Sequence, residues 1–315
     1  MSFSSEVKEE LLGRIGSSRH CQLAEIAAII DAAGLIEADE NGGIMLFLQD
    51  DNALIIRKFF TLLKKAFNIG TSILEGFADI KVGGRVYRPA ITDSAVLRSV
   101  IGAVRMVDEE GAVRDLQKGV SPMVTRNSCC KRAFIRDSFL CLGSISDPNK
   151  GYHLEFVCDS NEQALALKEM IESFDIEARI VQRKKYFVLY IKEGAGIVDL
   201  LNIMEAHVSL MKLENLRIVK EMRNSINRRV NCEVANITKT VNAASKQIED
   251  ITYIKEHYGF DNLPMNLREM AEVRLENPDA TLTELGQMLD PPVGKSGVNH
   301  RLRKLSDLAD KIRGN

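Results

Sequence analysis

The side chains with the clearest capacity for binding chemistry lie between residues 295 and 304, near the C-terminal end of the chain. At about 100° per residue, a helix over this segment has apolar residues on one face and polar residues on the other. Arginine can pair with guanine and asparagine with adenine, whereas lysine and serine reach phosphate groups. The segment is therefore typical of a helix that reads the major groove of DNA. The candidate DNA-binding residues are Lys295, Ser296, Asn299, His300, Arg301, Arg303 and Lys304, with Thr283 from the helix before it.

Two short helices joined by a connection must position these side chains. Thr281 and Glu284 have the spacing of a capping box, which predicts the start of the first helix. The two prolines that follow Asp290 end that helix, and Ser296 is predicted to cap the second. The same pattern also suits an ordinary solvated hairpin, since basic residues in a last turn favour the helix dipole. Both interpretations remain open on this segment alone.

A second basic segment, residues 222–236, is rich in arginine and asparagine. Residues 212–239 contain 7 Lys/Arg and 3 Asp/Glu, and residues 291–315 contain 6 and 2, although the whole chain has a net charge of −2. Local basic clusters favour specific phosphate contacts over general coating of nucleic acid. A solvated connector is the alternative interpretation. The candidate DNA-binding residues of this segment are Arg223, Asn227, Arg228 and Arg229.

Composition excludes several other classes of protein. The chain has 315 residues, which favours two domains, and no window is apolar enough to span a bilayer. Its N-terminus lacks the apolar core of a signal peptide, so we expect a cytoplasmic protein. None of its six cysteines lies in a C-x-x-C pair and no histidine cluster has zinc-ligand spacing. The sequence therefore predicts no metal site, no cofactor and no catalytic residue.

The first 211 residues contain an internal repeat. The order of helix, strand, helix, two strands and helix occurs twice, over about residues 1–110 and 125–211, and Gly34 and Gly143 mark equivalent positions. The first copy has predicted strands at residues 43–49, 71–79 and 81–88. Residues 212–232 are predicted to form a basic connector helix, and residues 233–315 a helical domain. In the long helix predicted over residues 232–257, we expect the following to be buried: Val234, Ile237, Val241, Ala244, Ile248, Ile251, Tyr253 and Ile254.

One helix of the first repeat has a recognisable motif. The residues from Ile26 to Gly34, IAAIIDAAG, resemble the LAGLIDADG helix of homing endonucleases, and IRDSFLCLG, which ends at Gly143, is a weaker second copy. The resemblance implies an α+β, two-fold pseudo-symmetric domain whose two motif helices pack together. In active members, an acidic residue at the eighth motif position holds a divalent metal. Those positions are Ala33 and Leu142 here, so the resemblance implies the fold without the nuclease, and a structural role for Asp31.

The whole chain resembles the WhiA family of bacterial regulators, in which a degenerate LAGLIDADG domain precedes an all-α helix-turn-helix domain. The resemblance rests on MSFSSEVKEEL at the start, MRNSINRRVNCEVANITKTV in the connector and LDPPVGKSGVNHRLRKL at the end. It implies a nucleoid-associated transcriptional regulator that binds double-stranded promoter DNA and acts in sporulation, cell division or chromosome segregation. An adaptor for RNA polymerase or another regulator is the alternative, and an active DNA endonuclease is a third hypothesis.

Overall fold

The structure, a computed structural model, describes residues 2–38, 43–49, 53–69, 79–107, 113 and 116–314. The chain divides into two compact units, Met1–Lys220 and Glu221–Asn315. The first unit combines helices with two sheets, and the second is helical. The predicted order of an α+β domain followed by an all-α domain is therefore confirmed.

From the motif helix onward, both halves of the first unit have the same order of elements, and the first half has one additional helix, α1, before it. The first half contains α1 (Phe3–Leu12), α2 (Arg19–Ala33), β1 (Gly34–Ala38), β2 (Ile44–Gln49), α3 (Ala53–Phe67), β3 (Ile80–Val82), β4 (Arg85–Ile91) and α4 (Ser94–Ala103). The second half contains α5 (Ser128–Leu142), β5 (Gly143–Ile145), β6 (Leu154–Cys158), α6 (Asn161–Glu172), β7 (Arg179–Arg183), β8 (Tyr186–Ile191) and α7 (Gly194–Ile203). The two antiparallel sheets have the orders β1-β2-β4-β3 and β5-β6-β8-β7. Their matching topology confirms the predicted pseudo-symmetry.

Each half contains a strand that the sequence did not predict, and the strand predicted over residues 81–88 is instead two strands, β3 and β4, joined by a turn at Gly83 and Gly84. β1 and β5 begin at Gly34 and Gly143, directly after the motif helices, and pair with β2 and β6. The prediction missed them because the strands are short and follow their helices without a separating turn. The strand predicted at residues 71–79 lies outside the described residues except for Asp79.

Gly34 and Gly143 are required by close packing rather than by an unusual backbone conformation. Gly34 has φ −79° and ψ 149°, so it is extended and not the left-handed helix cap that its position favours. A Cβ atom on Gly34 would lie 2.4 Å from the carbonyl oxygen of Ile30, and one on Gly143 would lie 2.2 Å from Cδ2 of Phe139. A side chain at either position would therefore push the strand away from its helix.

The α2–α5 helix pair forms the centre of the first unit. Nearly every side chain of α2 from Cys21 to Ala33 is buried, including Ala24, Ala27 and Ala28. These small residues allow the backbone of α2 to approach α5 closely, where Ala133 and Phe134 are also buried. Burial on all sides explains why the sequence of α2 has no polar face.

A single helix, α8 (His207–His257), replaces the two helices predicted for residues 208–257. Ile251 and Ile254 are buried, and Ala244, Ile248 and Tyr253 are partly buried. The prediction that Val234, Ile237 and Val241 are buried is wrong, because these side chains are 56%, 62% and 56% exposed. Their helical spacing indicates an apolar stripe, but no part of the described chain covers this stretch of α8.

The second unit packs three helices against the end of α8. They are α9 (Met265–Glu276), α10 (Leu282–Gln287) and α11 (Lys295–Arg313). Met270 of α9, Leu285 of α10, and Val298, Leu302 and Leu305 of α11 share its core with Ile251 and Ile254. At the far end of α11, the guanidinium of Arg313 donates to Oδ1 of Asp250 at 2.7 Å and lies 4.8 Å from the Tyr253 ring. Both ends of α11 are thereby fixed within this unit.

Candidate nucleic-acid interface

The α10–α11 hairpin has the predicted cap and a close approach at Gly286. The Thr281 hydroxyl accepts a hydrogen bond from the Glu284 amide, and Oε2 of Glu284 accepts one from the Thr281 amide at 2.7 Å. The connecting loop folds back onto α10, where the Val293 amide donates to the Gly286 carbonyl at 2.8 Å. A Cβ atom on Gly286 would lie 2.0 Å from the Val293 carbonyl oxygen. Glycine is therefore needed where the loop crosses the helix.

The second helix of the hairpin begins earlier and ends later than predicted. Gly294 is the N-cap of α11, so the prediction that Ser296 caps this helix is wrong, and the residue lies in the first turn instead. The backbone of Gly294 already takes the extended conformation of a cap, with φ −68° and ψ 158°. The helix then continues without a break through Asp307 to Arg313.

The outer face of α11, defined here as the recognition face, is exposed and polar. Its inner residues Val298, Leu302 and Leu305 are at most 1% exposed, which fixes the rotation of the helix about its axis. Within the described chain, none of the outer side chains makes a hydrogen bond or ion pair with another residue. These polar groups remain available to an external ligand. The recognition face consists of Lys295, Ser296, Asn299, His300, Arg303 and Lys304.

Arg301 and Thr283 border the recognition face. The Arg301 side chain is partly buried, and its NH1 donates to the Asn266 carbonyl of α9 at 3.3 Å. This contact holds one edge of the guanidinium against α9 and leaves its other donors free for a phosphate group. Thr283 is exposed in the first turn of α10.

The four candidate residues on α8 do not form a single face. Arg223 and Asn227 are one turn apart and share a face, whereas Arg228 and Arg229 lie about 100° and 200° further round the helix. All four are exposed, and Nε of Arg228 donates to the Asn224 carbonyl at 3.3 Å. Within the described residues, no hydrogen bond or ion pair joins them to α11. The three arginines among them place positive charge on different sides of α8 and do not extend the recognition face.

The eighth motif positions, at the ends of the two motif helices, carry no ligand for a hard metal ion. Ala33 and Leu142 line a cavity of about 550 Å³ there, together with Arg85 and Asp159. Both Asp159 oxygens accept hydrogen bonds from the Arg85 guanidinium, at 2.7 and 2.9 Å, and this pairing raises the pKa of Arg85. Mg²⁺ requires several oxygen ligands. The residues described at this position therefore do not fit the divalent metal that a LAGLIDADG nuclease uses.

Asp31 is part of the interior instead of facing this cavity. It is 3% exposed, and its carboxylate accepts hydrogen bonds from the Gly119 amide at 3.1 Å and from Nε2 of Gln163 at 2.9 Å. Burial raises its pKa to about 6, although both hydrogen bonds act in the opposite direction. This carboxylate joins α2 to α6 and to the segment between the two halves.

A buried ionic cluster between α2, α3 and α5 was missed by the sequence analysis. NH2 of Arg136 lies 2.5 Å from Oε1 of Glu25, and Nζ of Lys58 lies 2.7 Å from Oδ1 of Asp137. All four side chains are at most 4% exposed. Burial and the Asp137 charge raise the pKa of Glu25 to about 7, and Arg136 partly offsets them. Charged residues inside helices otherwise buried on all sides were the available signal for this cluster.

Comparisons with known proteins agree over the whole chain. The family signature described as "WhiA N-terminal LAGLIDADG-like domain" matches residues 19–76, "WhiA LAGLIDADG-like domain" matches 131–223, and "WhiA C-terminal HTH domain" matches 226–309. A Lachnoclostridium phytofermentans protein named probable cell division protein WhiA is 51% identical over 313 residues, covering 99% of this chain and 100% of its own. An Alkaliphilus oremlandii protein of the same name is 46% identical over 315 residues, covering 99% and 98%.

A solved structure also matches from end to end. The crystal structure of full-length DUF199/WhiA from Thermotoga maritima is 26% identical, has a TM-score of 0.59 and covers 99% of each chain. These similarities confirm the predicted combination of a LAGLIDADG-like fold and a C-terminal helix-turn-helix domain. Among the described helices, none combines the length and apolar character needed to cross a membrane.

Proposed function

The chain belongs to the WhiA family, and from that membership we propose that it is a sequence-specific, DNA-binding transcriptional regulator. The observation that carries the proposal is the recognition face of α11, whose six polar side chains are exposed and unpaired within the described chain. A helix held by an apolar inner face with free hydrogen-bonding groups outside can enter the major groove of DNA.

Each part of the hairpin has a distinct role in this proposal. Asn299, His300 and Arg303 read the edges of bases, because their side chains carry the donors and acceptors that distinguish base pairs. The remaining candidates position the protein through the DNA backbone. These phosphate-contacting residues are Thr283, Lys295, Ser296, Arg301 and Lys304 on the hairpin and Arg223, Asn227, Arg228 and Arg229 on α8.

We further propose that the first unit does not cleave DNA. Ala33 and Leu142 replace the acidic metal ligands, and Arg85 occupies the Asp159 carboxylate nearby. The protein then needs no cofactor, and its partner is double-stranded promoter DNA in the cytoplasmic nucleoid. Because the similar proteins are named cell division proteins, we place its target genes in cell division, chromosome segregation or sporulation. Metal-dependent cleavage of a bound duplex would contradict the proposal that the first unit does not cleave DNA.

The proposal is tested by genome-wide capture of DNA with the full-length chain. The double variant His300→Ala, Arg303→Ala removes two groups of the recognition face. Lys311→Ala is the matched control, because Lys311 is also an exposed basic residue of α11 but lies in its last turn. We expect discrete promoter peaks for the wild-type and control chains and their loss in the double variant. Peaks that persist in the double variant would contradict recognition through α11.

A second candidate function, an adaptor for RNA polymerase or another regulator, is favoured by the apolar stripe on α8. Its side chains are between 48% and 62% exposed and follow helical spacing, which suits a helical protein partner better than DNA. The stripe consists of Met222, Ile226, Val230, Val234, Ile237 and Val241. Nuclease-treated extracts separate the two functions, because polymerase that still co-purifies with the wild-type chain, and not with an Ile226→Lys, Ile237→Lys variant, is bound through protein contacts.

A further inference from the structure

The first turns of α2 and α5 bring together two pairs of residues that lie 109 positions apart in the sequence. One pair is a histidine and a cysteine, and the other is two cysteines. His20 and Cys21 occupy the second and third positions of α2, and Cys129 and Cys130 occupy the same positions of α5. The pseudo-symmetry of the two halves therefore superposes His20 on Cys129 and Cys21 on Cys130. All four residues lie in the first turns of these two helices.

The spacing rule for zinc sites does not find this arrangement, because each helix contributes adjacent residues instead of a C-x-x-C pair. Aligning the two copies of the repeat on Gly34 and Gly143 would have revealed it, since the offset that equates these glycines also equates the two pairs of ligands. Spacing within single segments therefore predicted no metal ligands, because this cluster takes its residues from two distant segments.

The distances between the donor atoms fit a tetrahedral metal ion. The His20 Nδ1, Cys21 Sγ, Cys129 Sγ and Cys130 Sγ atoms all lie within 4.8 Å of one another. Nδ1 of His20 is 3.1 Å from Cys130 Sγ, 3.4 Å from Cys21 Sγ and 3.9 Å from Cys129 Sγ. In a tetrahedral zinc site with bonds of about 2.3 Å to sulfur and about 2.1 Å to nitrogen, nitrogen and sulfur are about 3.6 Å apart. The three observed distances bracket this value.

Burial and the neighbouring thiols raise the pKa of Cys21 and Cys130, so these cysteines are thiols until a metal ion replaces their protons. The cluster faces the N-terminal ends of two helices, where the partial positive charge of the helix dipole stabilises negative sulfur. Neither N-cap residue, Ser18 or Asn127, makes a side-chain capping hydrogen bond. Three thiolates and one neutral imidazole around Zn²⁺ have a net charge of −1, which the two helix ends partly compensate. Cys21 and Cys130 are buried, whereas His20 and Cys129 are exposed and leave a route for the ion to enter.

We propose that His20, Cys21, Cys129 and Cys130 form a structural zinc site that joins the N-terminal ends of α2 and α5. Four protein ligands complete the tetrahedron and leave no position for water or substrate, which distinguishes a structural site from a catalytic one. Binding releases the thiol protons to solvent as the Zn–S bonds form, with no change of oxidation state. The ion holds the two halves together at the end of the helix pair opposite Ala33 and Leu142.

Metal analysis of the full-length chain tests this proposal directly. We expect wild-type protein purified under reducing conditions from zinc-supplemented cells to contain one zinc ion per chain. Replacing zinc by Co²⁺ should produce the visible absorption of tetrahedral cobalt and the near-ultraviolet charge-transfer band of cobalt–thiolate bonds. These spectra identify both the geometry and the sulfur ligands without relying on any biological activity.

Variants at the exposed ligands test zinc binding in protein that remains folded. Cys129→Ser and His20→Ala remove ligands that contribute little to the core, and circular dichroism checks that each variant is folded. Cys232→Ser is the matched control, because Cys232 is an exposed cysteine on α8 far along the chain. Loss of even an outer-shell partner typically weakens zinc binding about 10–100-fold, so we expect at least a comparable loss in both ligand variants and none in the control.

Two results would overturn the proposal. One is folded wild-type protein that contains no zinc and shows no cobalt–thiolate absorption after Co²⁺ is added. The other is a disulfide between any two of Cys21, Cys129 and Cys130 in protein trapped by alkylation at harvest, which would indicate a redox pair in place of a metal site.

Discussion

Charged side chains occur in the α2–α5 helix pair and in the first turns of α11, but the two regions differ in burial and in partners. Arg136 of α5 is 3% exposed and pairs with Glu25 and Glu205, at 2.5 and 2.9 Å. Arg303 of α11 is exposed and has no ion pair within the described chain. A buried charge that loses its partner is costly, whereas an exposed charge without one costs the fold little. The first region uses its charges for the fold, and the second leaves them available to a ligand.

The middle of the helix pair and its C-terminal ends also differ in their charged side chains. In the middle, the pair contains Glu25, Arg136 and Asp137, all of them buried. At the C-terminal ends, where a LAGLIDADG nuclease has its acidic ligands, the pair presents Ala33 and Leu142. The helix pair has thus retained the polar groups that hold two halves together and lacks those that would hold a catalytic metal.

Among the variants that test this comparison, Arg136→Ala should have the largest effect on stability, because it removes the central cation of the buried cluster. Glu25 would then lose a partner in a site with almost no access to water, and breaking a buried ion pair in this way costs ~3–5 kcal/mol. We expect a large fall in the midpoint of the calorimetric transition that belongs to the first unit.

The matched control is Arg303→Ala, which removes an arginine from an exposed site. We expect it to shift the stability of the protein by less than about 0.5 kcal/mol, because surface substitutions away from caps and cores fall in that range. Equal losses of stability in the two variants would remove the distinction between structural and available charges.

The second test uses the pH dependence that Asp31 imposes on the same helix pair. Its pKa is raised from 3.8 to about 6 in the folded state, so the folded protein retains a proton that the unfolded chain releases between these values. The stabilising contribution of Asp31 is therefore complete below about pH 4, falls as pH rises through this window and does not change further above it. The loss amounts to ~3 kcal/mol for this carboxyl group.

Asp31→Asn has no proton to lose and should abolish this part of the pH dependence. We expect the variant to match the wild-type protein near pH 4 and to exceed it in free energy of unfolding at pH 7, measured by urea denaturation. Glu25, whose pKa is raised to about 7, contributes a slope of the same sign at slightly higher pH that should remain. An unchanged slope between pH 4 and 6 would show that Asp31 is ionised throughout.

These contrasts show which features a sequence can predict. The repeat and the capping box at Thr281 and Glu284 were predictable, because local spacing determines caps and amphipathic periods. β1 and β5 were not, because a strand that follows a helix without a turn has no local signal. Val234, Ile237 and Val241 have the spacing of buried residues, and periodicity cannot tell whether another element covers them.

The candidate site illustrates the same limit. The residues of the recognition face were predictable, because one short helix contains them all and the apolar residues between them determine its rotation. The buried cluster of Glu25, Lys58, Arg136 and Asp137 involves three helices, and the His20 and Cys130 pairing crosses two halves. Contacts of this kind depend on tertiary packing, which residue spacing within one segment does not contain.

The third test compares two neighbouring residues of the recognition face. Arg303→Ala should cost ~1–3 kcal/mol of binding free energy at the preferred DNA sequence and reduce discrimination against altered bases, because a bidentate base contact is lost. Lys304→Ala should weaken binding to all duplexes similarly and reduce the dependence on salt concentration, as expected for one lost phosphate contact. Titrations of labelled duplexes at several salt concentrations measure both effects. Identical sequence preferences in the two variants would contradict the division into base-reading and phosphate-contacting residues.

The smallest expected effect comes from Thr281→Ala, which separates the stability of the hairpin from its ability to read DNA. The hydroxyl of Thr281 caps α10 by accepting from the Glu284 amide at 3.3 Å, and loss of such a cap typically costs ~1 kcal/mol. For a unit of this size, that loss lowers the thermal midpoint by about 4–8 °C. The inner residues of α11, Val298 and Leu302, still hold the recognition face in place. We therefore expect unchanged sequence preference below the melting temperature, and near wild-type stability in Thr281→Ser, which keeps the hydroxyl. If the alanine variant instead lost sequence preference while remaining folded, α10 would take part in recognition itself.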